Sequence, residues 1–234
     1  MLRRLSHFIP LSWRIRLRDR KAKRMLKTTH LQVEEVFGKI YSVNKWGNSE
    51  SVSGPGSQKA VAQFLIKPLN NWLDDLNVQT ILDLPCGDGN WIFELDLENR
   101  KYIGADIVPE LIDQTRSKHA AGNRRFEVLN IINDPLPPAD LLLCRDCFVH
   151  LPNELILKAL ENISYSGIRY IALTHFPNFP RNYNIPTGQW RPVNLQLPPY
   201  NLSEPIAMME EWSPEGTDKR YRKVLALWRS DDLK

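Results

Sequence analysis

The sequence predicts an α/β protein with a doubly wound, mostly parallel sheet of seven strands that ends in an antiparallel hairpin. Short apolar runs alternate with helical patterns from about residue 79 to residue 174. This alternation is typical of parallel strands joined by right-handed crossovers, with all strand carboxyl ends on one edge. Two later apolar runs, 206–210 and 222–228, flank a Pro-Glu-Gly turn signal. They therefore indicate the closing hairpin.

The elements follow in order along the chain. Residues 32–41 have a helical pattern, 42–57 form a loop rich in Ser, Gly and Asn, and 58–76 form a long helix. Pro68 is expected to kink or divide that helix, since it lacks the N–H that an interior residue donates. Helices are expected between most strands, the first beginning near Asn90 or Trp91 and the next at Pro109. The five parallel strands are expected at 79–84, 101–105, 125–130, 139–144 and 168–174.

The segment 80–90, Thr-Ile-Leu-Asp-Leu-Pro-Cys-Gly-Asp-Gly-Asn, is the most informative stretch. Asp83 ends a buried strand, and Gly87 and Gly89 let the backbone turn tightly where a side chain would block a ligand. Seventeen residues beyond Gly89, Asp106 ends the next strand. A carboxylate there reaches the ribose hydroxyls of a nucleotide-like ligand. The sequence therefore predicts a cofactor that contains adenosine.

The pattern Asp83-Leu-Pro85-Cys-Gly87-Asp-Gly89 resembles the first motif of the class I S-adenosylmethionine-dependent methyltransferases, which have a Rossmann-like sheet. Pro85 stands where that family has its first glycine. The resemblance implies that S-adenosyl-L-methionine is the cofactor, with the motif beside its methionine part, Asp106 on the ribose and Asn130-Ile131 flanking adenine. The cofactor residues it implies are Asp83, Pro85, Gly87, Gly89, Trp91, Asp106, Ile107, Asn130, Ile131 and Arg145.

Four further segments resemble a narrower branch of these enzymes, associated with bacterial and viral glycan methylation: 40–47, 50–57, 144–151 and 187–195. The resemblance implies O-methylation of a sugar hydroxyl in a glycan or glycolipid. Two alternatives stay open, namely a non-catalytic module that binds S-adenosylmethionine for a partner, and a methyltransferase for another small molecule or a nucleic acid. An NAD-dependent enzyme would need G-x-G-x-x-G after the first strand, and Gly87, Gly89 and Trp91 fit that pattern poorly.

Catalytic residues are expected just after the fourth strand, in Arg145-Asp-Cys-Phe-Val-His150. A sugar hydroxyl has a very high pKa, so its proton must pass to a base as the new bond forms. His150 is the candidate base, and Asp146 orients it or the substrate if the segment is helical and both share one face. In the competing interpretation Asp146 caps a helix and His150 only lines the crevice. His175, after the fifth strand, is a rival base.

Residues 175–204 form a long loop with six prolines and several aromatic residues. A loop of this length inside a compact domain is usually functional or disordered, and the aromatic content argues against disorder. We interpret it as the acceptor wall. Trp46 and Trp190 would face the C–H side of a sugar ring, and Arg191 and Asn194 would hydrogen-bond its hydroxyls. The aromatic residues are equally expected simply to pin the loop to the body.

Residues 197–200 of this loop, Leu-Pro-Pro-Tyr, resemble the motif with which amino-methyltransferases hold a planar nitrogen. Leu197 stands where that chemistry requires a polar residue. The segment also follows the fifth predicted strand rather than the fourth. DNA or amine acceptors are therefore disfavoured.

Charge divides the 234-residue chain into a basic extension, 1–30, and one domain, 31–234. Within the domain, 31–78 supplies helices and a lid loop, and 175–204 the acceptor-site loop. The extension has ten Lys or Arg and one acid, Asp19, so the domain has a formal charge of −5. The extension has no apolar run long enough to cross a bilayer or act as a signal-peptide core. It is a solvated tail, a peripheral contact of residues 1–27 with an anionic membrane, or a phosphate-binding arm. Nucleic acid is the least expected partner.

Three cysteines, Cys86, Cys144 and Cys147, give no disulfide framework, which favours a reduced, cytoplasmic setting. Cys144 and Cys147 form a C-x-x-C. No second pair or histidine cluster completes a zinc site, so no metal is predicted.

Overall fold

A computed structural model describes residues 32–46, 49–211 and 222–233. The basic extension, with its expected membrane contact, and the Pro-Glu-Gly turn lie outside these residues. The described helices are α1 (Val33–Ser42), α2 (Lys59–Asp75), α3 (Pro109–His119) and α4 (Asn153–Tyr165). None of them is long and apolar enough to span a membrane.

The seven strands form one sheet in the order β3-β2-β1-β4-β5-β7-β6. The first five are parallel, and β7 runs antiparallel to both β5 and β6. The predicted mostly parallel sheet with a C-terminal antiparallel pair is therefore confirmed. The strands are β1 (Thr80–Asp83), β2 (Lys101–Asp106), β3 (Arg124–Val128), β4 (Leu141–Cys144), β5 (Tyr170–His175), β6 (Ala207–Glu210) and β7 (Val224–Arg229).

The core is divided between the two faces of the sheet. Leu82 of β1 belongs to one apolar cluster with Ile156 and Ile163 of α4. Its neighbour Ile81 belongs to the other, with Leu65 and Leu69 of α2. Successive residues of a strand point to opposite faces, so a near-continuous apolar run is what a sheet covered on both sides requires.

Helix α2 is continuous although it contains Pro68. The expected division of this helix at proline is therefore wrong. Leu65 and Leu69, on either side of Pro68, and Leu73 one turn later are each at most 1% exposed. This buried apolar stripe holds the helix together against the loss of one backbone hydrogen bond.

The expected helix after β1 is also absent: a single 3₁₀ turn, Ile92–Glu94, stands between β1 and β2. The backbone becomes extended at Leu95. The Asp96 N–H then donates to Asn70 Oδ1 of α2 at 3.0 Å. This hydrogen bond to α2 and the burial of Leu95 and Leu97 hold the segment beside α2, so it does not continue as a longer helix.

The carboxyl ends of the parallel strands meet at one sheet edge. Asp83 and Asp106 are the last residues of β1 and β2, and Arg145 follows the end of β4. Asn130 lies two residues beyond β3, which ends at Val128 rather than at the predicted residue 130. Ligands of doubly wound sheets bind at this edge.

Candidate cofactor and acceptor site

An open cleft lies over the carboxyl ends of β1, β2 and β4. Helix α1 and the loop before α2 form its other walls through Val33, Phe37, Val52 and Ser53. Trp46, Asp146, Cys147 and His150 line a further part of it. All the cofactor residues expected from the sequence, except Gly89, line this cleft: Asp83, Pro85, Gly87, Trp91, Asp106, Ile107, Asn130, Ile131 and Arg145.

The turn after β1 has the tight conformation that its glycines indicate. Gly87 and Gly89 have φ of 57° and 68°, in the left-handed region that favours glycine. A Cβ on Gly87 would lie 2.0 Å from Ser53 Oγ, and one on Gly89 would lie 2.7 Å from the Phe93 ring. Gly87 therefore lets the loop before α2 pack onto the turn, while Gly89 serves packing behind the cleft.

Two buried carboxyl groups form part of the cleft. Tyr102 donates its hydroxyl proton to Asp83 Oδ2 at 2.7 Å. Asp106 accepts the N–H of Val108 at 3.1 Å and that of Gly87 at 3.3 Å. Burial raises the pKa of Asp83 to about 7, although the bond from Tyr102 and the charge of Arg145 oppose it. Burial also raises the pKa of Asp106 to about 6 against its backbone hydrogen bonds.

These raised pKa values predict how the cofactor-free protein responds to pH. Both carboxyls have an ordinary pKa of 3.8, so between pH 4 and 7 the native state binds more protons than the unfolded state. Their contribution to stability is present below pH 4 and is lost as the pH rises towards 7. We expect the Tm to fall between pH 5 and pH 8 and Asp83→Asn to flatten the fall. A wild-type Tm that stays level over this range would contradict the burial of these groups as ionisable acids.

Asn130 is held more firmly than the sequence indicates. Its side-chain nitrogen Nδ2 donates to Glu34 Oε1 of α1 at 2.6 Å. Its side-chain oxygen accepts the Ile132 N–H at 2.9 Å. The amide thus ties α1 to the loop after β3. Asn130 is expected to flank adenine, and its side-chain oxygen already has a partner, although a carbonyl oxygen can accept a second bond.

Arg145 belongs to a buried network that sequence reasoning missed. Its Nε and Nη2 donate to Glu211 Oε2 at 2.9 and 2.6 Å. Lys223 Nζ lies 2.9 Å from the same oxygen and 2.7 Å from Asp146 Oδ2. Glu211 Oε1 has no partner among the described residues. The guanidinium also lies 5.3 Å from the centre of the Trp91 ring, a distance typical of cation–π contact.

Asp146 does not share a helical face with His150, so that expectation is wrong. The backbone takes a left-handed conformation at Asp146, with φ of 55°, and only a 3₁₀ turn, Phe148–His150, follows. The Asp146 side chain does not cap this turn either; the cap residue is Cys147. Burial acts to raise the pKa of Asp146, but Lys223 and Arg145 outweigh it and lower the pKa to about 2. Asp146 is therefore a fixed negative charge.

His150 lies beside Trp46, with ring centres 4.9 Å apart. Its Nδ1 is 3.1 Å from the carbonyl oxygen of Gln189. A carbonyl only accepts, so in the neutral ring Nδ1 carries the proton and Nε2 keeps a free lone pair. Burial lowers the pKa of His150 below its usual 6.5, with the charge of Asp146 opposing the shift. The side chain is therefore neutral at pH 7 and able to accept a proton.

Four residues expected at the acceptor wall do not line the cleft: His175, Trp190, Arg191 and Asn194. His175 is fully buried, and its Nδ1 accepts the Leu195 N–H at 3.1 Å. Burial lowers its pKa to about 4. Trp190 is 55% exposed, and its ring packs on Phe176. The expectations that His175 is a rival base and that Trp190 faces a sugar ring are therefore wrong.

Arg191 and Asn194 hold the loop together instead. Arg191 is fully buried and donates to the carbonyls of Tyr183 and Phe148 at 2.8 and 3.0 Å. Asn194 donates to the carbonyls of Pro177 and Phe179, each at 2.9 Å. Their polar groups are used within the protein, so the interpretation that this segment is pinned to the body describes it better. The one-dimensional pattern cannot distinguish a polar group bonded to its own loop from one offered to a ligand.

Metal ligands are not clustered in the part of the chain that the structure describes. It contains no group of three or more His, Cys, Asp or Glu side chains able to hold an ion. Cys144 is buried, and Cys147 lines the cleft. Burial and the neighbouring Cys147 thiol raise the pKa of Cys144.

Part of this chain is similar to known methyltransferase sequences. Residues 81–165 match the family model described as a methyltransferase domain. An uncharacterized RNA methyltransferase of Chlamydia muridarum is 25% identical over 173 residues, which are 68% of this chain and 43% of that protein. A 23S rRNA (uracil(1939)-C(5))-methyltransferase of Shewanella amazonensis is 35% identical over 74 residues, 32% of this chain and 16% of that one. The chain thus spans less than half the length of either relative.

Solved structures agree on the fold. Magnesium protoporphyrin IX methyltransferase from Synechocystis, with bound S-adenosylmethionine, superposes with a TM-score of 0.59 at 15% identity, over 85% of this chain and 98% of that one. Human N-acetylserotonin methyltransferase in complex with S-adenosylmethionine gives 0.57 at 17% identity, over 92% and 67%. Residues 81–165 therefore match a methyltransferase domain, and the chain shares the fold of these two methyltransferases.

Proposed function

We propose that this protein is an S-adenosylmethionine-dependent O-methyltransferase whose acceptor is a sugar hydroxyl in a glycan or glycolipid. One observation carries the methyl-transfer part of the proposal. A single cleft joins the turn after β1 and the acid that ends β2 to a neutral histidine beside a half-buried tryptophan, Trp46. Cofactor and acceptor can therefore meet in one cavity, as a direct transfer requires.

The cofactor would lie between the turn after β1 and the loop after β3. Asp106 would meet the ribose, because it ends β2 beside Gly87 at the sheet edge. Asp83 and Asp106 put negative charge near a cationic ligand once they ionise. Ile107, Ile131 and Leu111 offer apolar walls for a flat base. S-adenosylmethionine supplies a methyl group that is already activated on its sulfonium.

His150 would act as the general base. Its free Nε2 accepts the acceptor's proton as the oxygen attacks the methyl group in line. The fixed charge of Asp146 then stabilises the imidazolium through space, as its opposing effect on the His150 pKa indicates. Gln189 fixes the tautomer. His150 thus accepts the proton, Asp146 stabilises the charge that His150 gains, and Gln189 orients the His150 ring.

Trp46 supports a sugar as the acceptor. It lines the cleft next to His150. A flat indole face suits the C–H side of a sugar ring, and the neighbouring base suits its hydroxyl. The segments 40–47 and 144–151, which resemble the glycan-methylating branch, contain Trp46 and His150 respectively.

RNA is the second candidate acceptor, because the matched Chlamydia relative carries the name of an RNA methyltransferase. RNA binding draws much of its affinity from Lys and Arg contacts to phosphates. The domain, residues 31–234, has a formal charge of −5. The basic extension would have to supply those contacts.

We also propose that residues 1–27 bring the enzyme to an anionic membrane on the cytoplasmic side, where lipid-linked glycans are presented. The charge of the extension and Trp13 support this. In a flotation assay with phosphatidylserine vesicles, the full chain should float and a chain without residues 1–27 should not. Equal behaviour of the two would contradict the membrane contact.

Methyl transfer from labelled S-adenosylmethionine tests the acceptor. We expect label in a lipid-linked or deoxysugar-containing glycan fraction and none in RNA, with the Trp46→Ala variant reduced about tenfold or more. Label in RNA alone would overturn the sugar assignment while leaving the enzyme class intact. Cofactor binding with no label in any fraction would favour the non-catalytic module.

A further inference from the structure

The loop before α2 lines the cleft, and the carboxylate of Asp88 holds it to the turn after β1. We call residues 51–57 the strap. Asp88 stands between Gly87 and Gly89. Ser51 Oγ donates to Asp88 Oδ1 at 3.0 Å, and the Val52 N–H donates to Oδ2 at 3.0 Å. The side chain thus uses both oxygens to hold a segment more than thirty residues away in the sequence.

Ser53 also bonds to Asp88, through both the side chain and the backbone N–H of Asp88. Its hydroxyl lies 3.3 Å from Asp88 Oδ1 and accepts the Asp88 N–H at 3.2 Å. The space beside Gly87 is so small that a Cβ there would lie 2.0 Å from Ser53 Oγ. The strap is therefore seated on the glycine turn itself.

Two further bonds fasten the far end of the strap. Asn90 Nδ2 donates to the Ser57 carbonyl at 2.9 Å. Arg145 Nη2 donates to the Gly56 carbonyl at 2.9 Å. Val52, Ser53 and Ser57 all line the cleft. A ligand that lies along the turn after β1 would therefore have the strap as its cover.

The strap also reaches the acceptor side. A Cβ on Gly54 would lie 3.4 Å from Trp46 Cβ, so the strap packs against the tryptophan that contacts His150. A Cβ on Gly56 would lie 2.8 Å from Asp146 Oδ2. A displacement of the strap would therefore change contacts at the turn after β1 and also contacts with Trp46 and Asp146.

We propose that Asp88 is a positioning residue that latches the strap over the cofactor, so that cofactor exchange requires the Asp88 contacts to open. This inference rests on the proposed function, since it assigns a role in that same site. Asp88 touches the strap and not the transferred group. Its role is to set how often the cleft opens.

Opening of a latch has a kinetic signature. If exchange waits for the strap, weakening the latch raises the association and the dissociation rate constants together, because the open form is more populated. Simple damage to the binding surface raises only the dissociation rate constant. The two cases separate in stopped-flow binding of S-adenosylhomocysteine, followed by the fluorescence of Trp91 and Trp46, which line the cleft.

We expect Asp88→Ala and the double variant Ser51→Ala/Ser53→Ala each to raise both rate constants about tenfold or more, the scale on which hydrogen bonds to a charged group act. Asp96→Ala is the matched control. Asp96 lies in the same β1–β2 connection and its carboxylate accepts the Glu98 N–H, but it does not line the cleft. It should leave both constants unchanged. A faster dissociation with an unchanged or slower association would overturn the latch.

Hydrogen exchange tests the latch without any cofactor. In the cofactor-free protein, Asp88→Ala should speed amide exchange of residues 51–57 about tenfold or more and leave α4 unchanged. Unchanged exchange in the strap would overturn the inference and leave the proposed function standing. Wild-type protein that binds no S-adenosylhomocysteine would instead overturn the proposed function, and the inference with it.

Discussion

Replacing His150 with Ala should lower the turnover of methyl transfer about 100-fold or more and leave the affinity for S-adenosylhomocysteine nearly unchanged. The side chain holds the free lone pair beside Trp46, and its neutral state is maintained by burial. Turnover is measured with labelled S-adenosylmethionine and the acceptor fraction that gives product. Cofactor affinity is measured by calorimetry.

Two readouts distinguish a base from a residue that merely shapes the cleft. Added imidazole should restore part of the activity of His150→Ala, since it can occupy the space beside Trp46 and accept the proton. The wild-type rate should be level above pH 7 and fall as the pH drops below the pKa of His150, which burial places under 6.5. A His150→Ala enzyme with wild-type turnover would show that His150 only lines the cleft.

Replacing Arg191 with Ala should destabilise the protein by about 2–4 kcal/mol, which corresponds to a fall in Tm of roughly 4–16 °C for a chain of this length. Besides its hydrogen bonds to the carbonyls of Tyr183 and Phe148, the guanidinium donates one to Asn153 Oδ1 at 2.8 Å. The variant leaves these buried acceptors without donors and opens a cavity. Thermal and urea unfolding measure the effect.

Arg191→Lys is the matched variant, because it keeps the charge but not the fork of donors. It should also lose stability, since one ammonium cannot reach the acceptors on all sides. If either variant kept the wild-type Tm and lost only activity towards the acceptor, Arg191 would be a substrate residue after all. The loop bond that Arg191 makes to Phe148 also supports the segment that carries His150, so we expect some loss of turnover beside the loss of stability.

The parts of the site that the sequence predicted are those that depend on local pattern. Asp83, Gly87 and Asp106 follow from strand, turn and strand in one stretch of chain, and parallel topology then requires their meeting at one edge. The position of His150 just beyond β4 follows from the same local pattern. The predicted shared helical face of Asp146 and His150 is wrong, because the left-handed conformation at Asp146 breaks the helical spacing on which that prediction depended.

The parts that the sequence could not predict depend on partners far away in the chain. Glu211, just after β6, contacts Arg145, and Lys223, just before β7, contacts Asp146; both lie more than sixty residues later in the chain. Nothing in the local sequence indicates a role for Asp88, because its partners Ser51 and Val52 lie more than thirty residues earlier in the chain. Arg191 and Asn194 looked like ligand contacts because a polar residue in a long loop gives no sign of which backbone carbonyls surround it.

The most direct test of the cofactor site is a thermal-shift series with S-adenosylhomocysteine, S-adenosylmethionine and NAD, each at about a hundred times a plausible Kd. Binding at that level stabilises the folded state by about 2.7 kcal/mol. For a chain of this length, we expect a rise in Tm of roughly 5–11 °C with the two adenosyl compounds and none with NAD. A shift with NAD, or no shift with either adenosyl compound, would contradict the assignment of this cleft to S-adenosylmethionine.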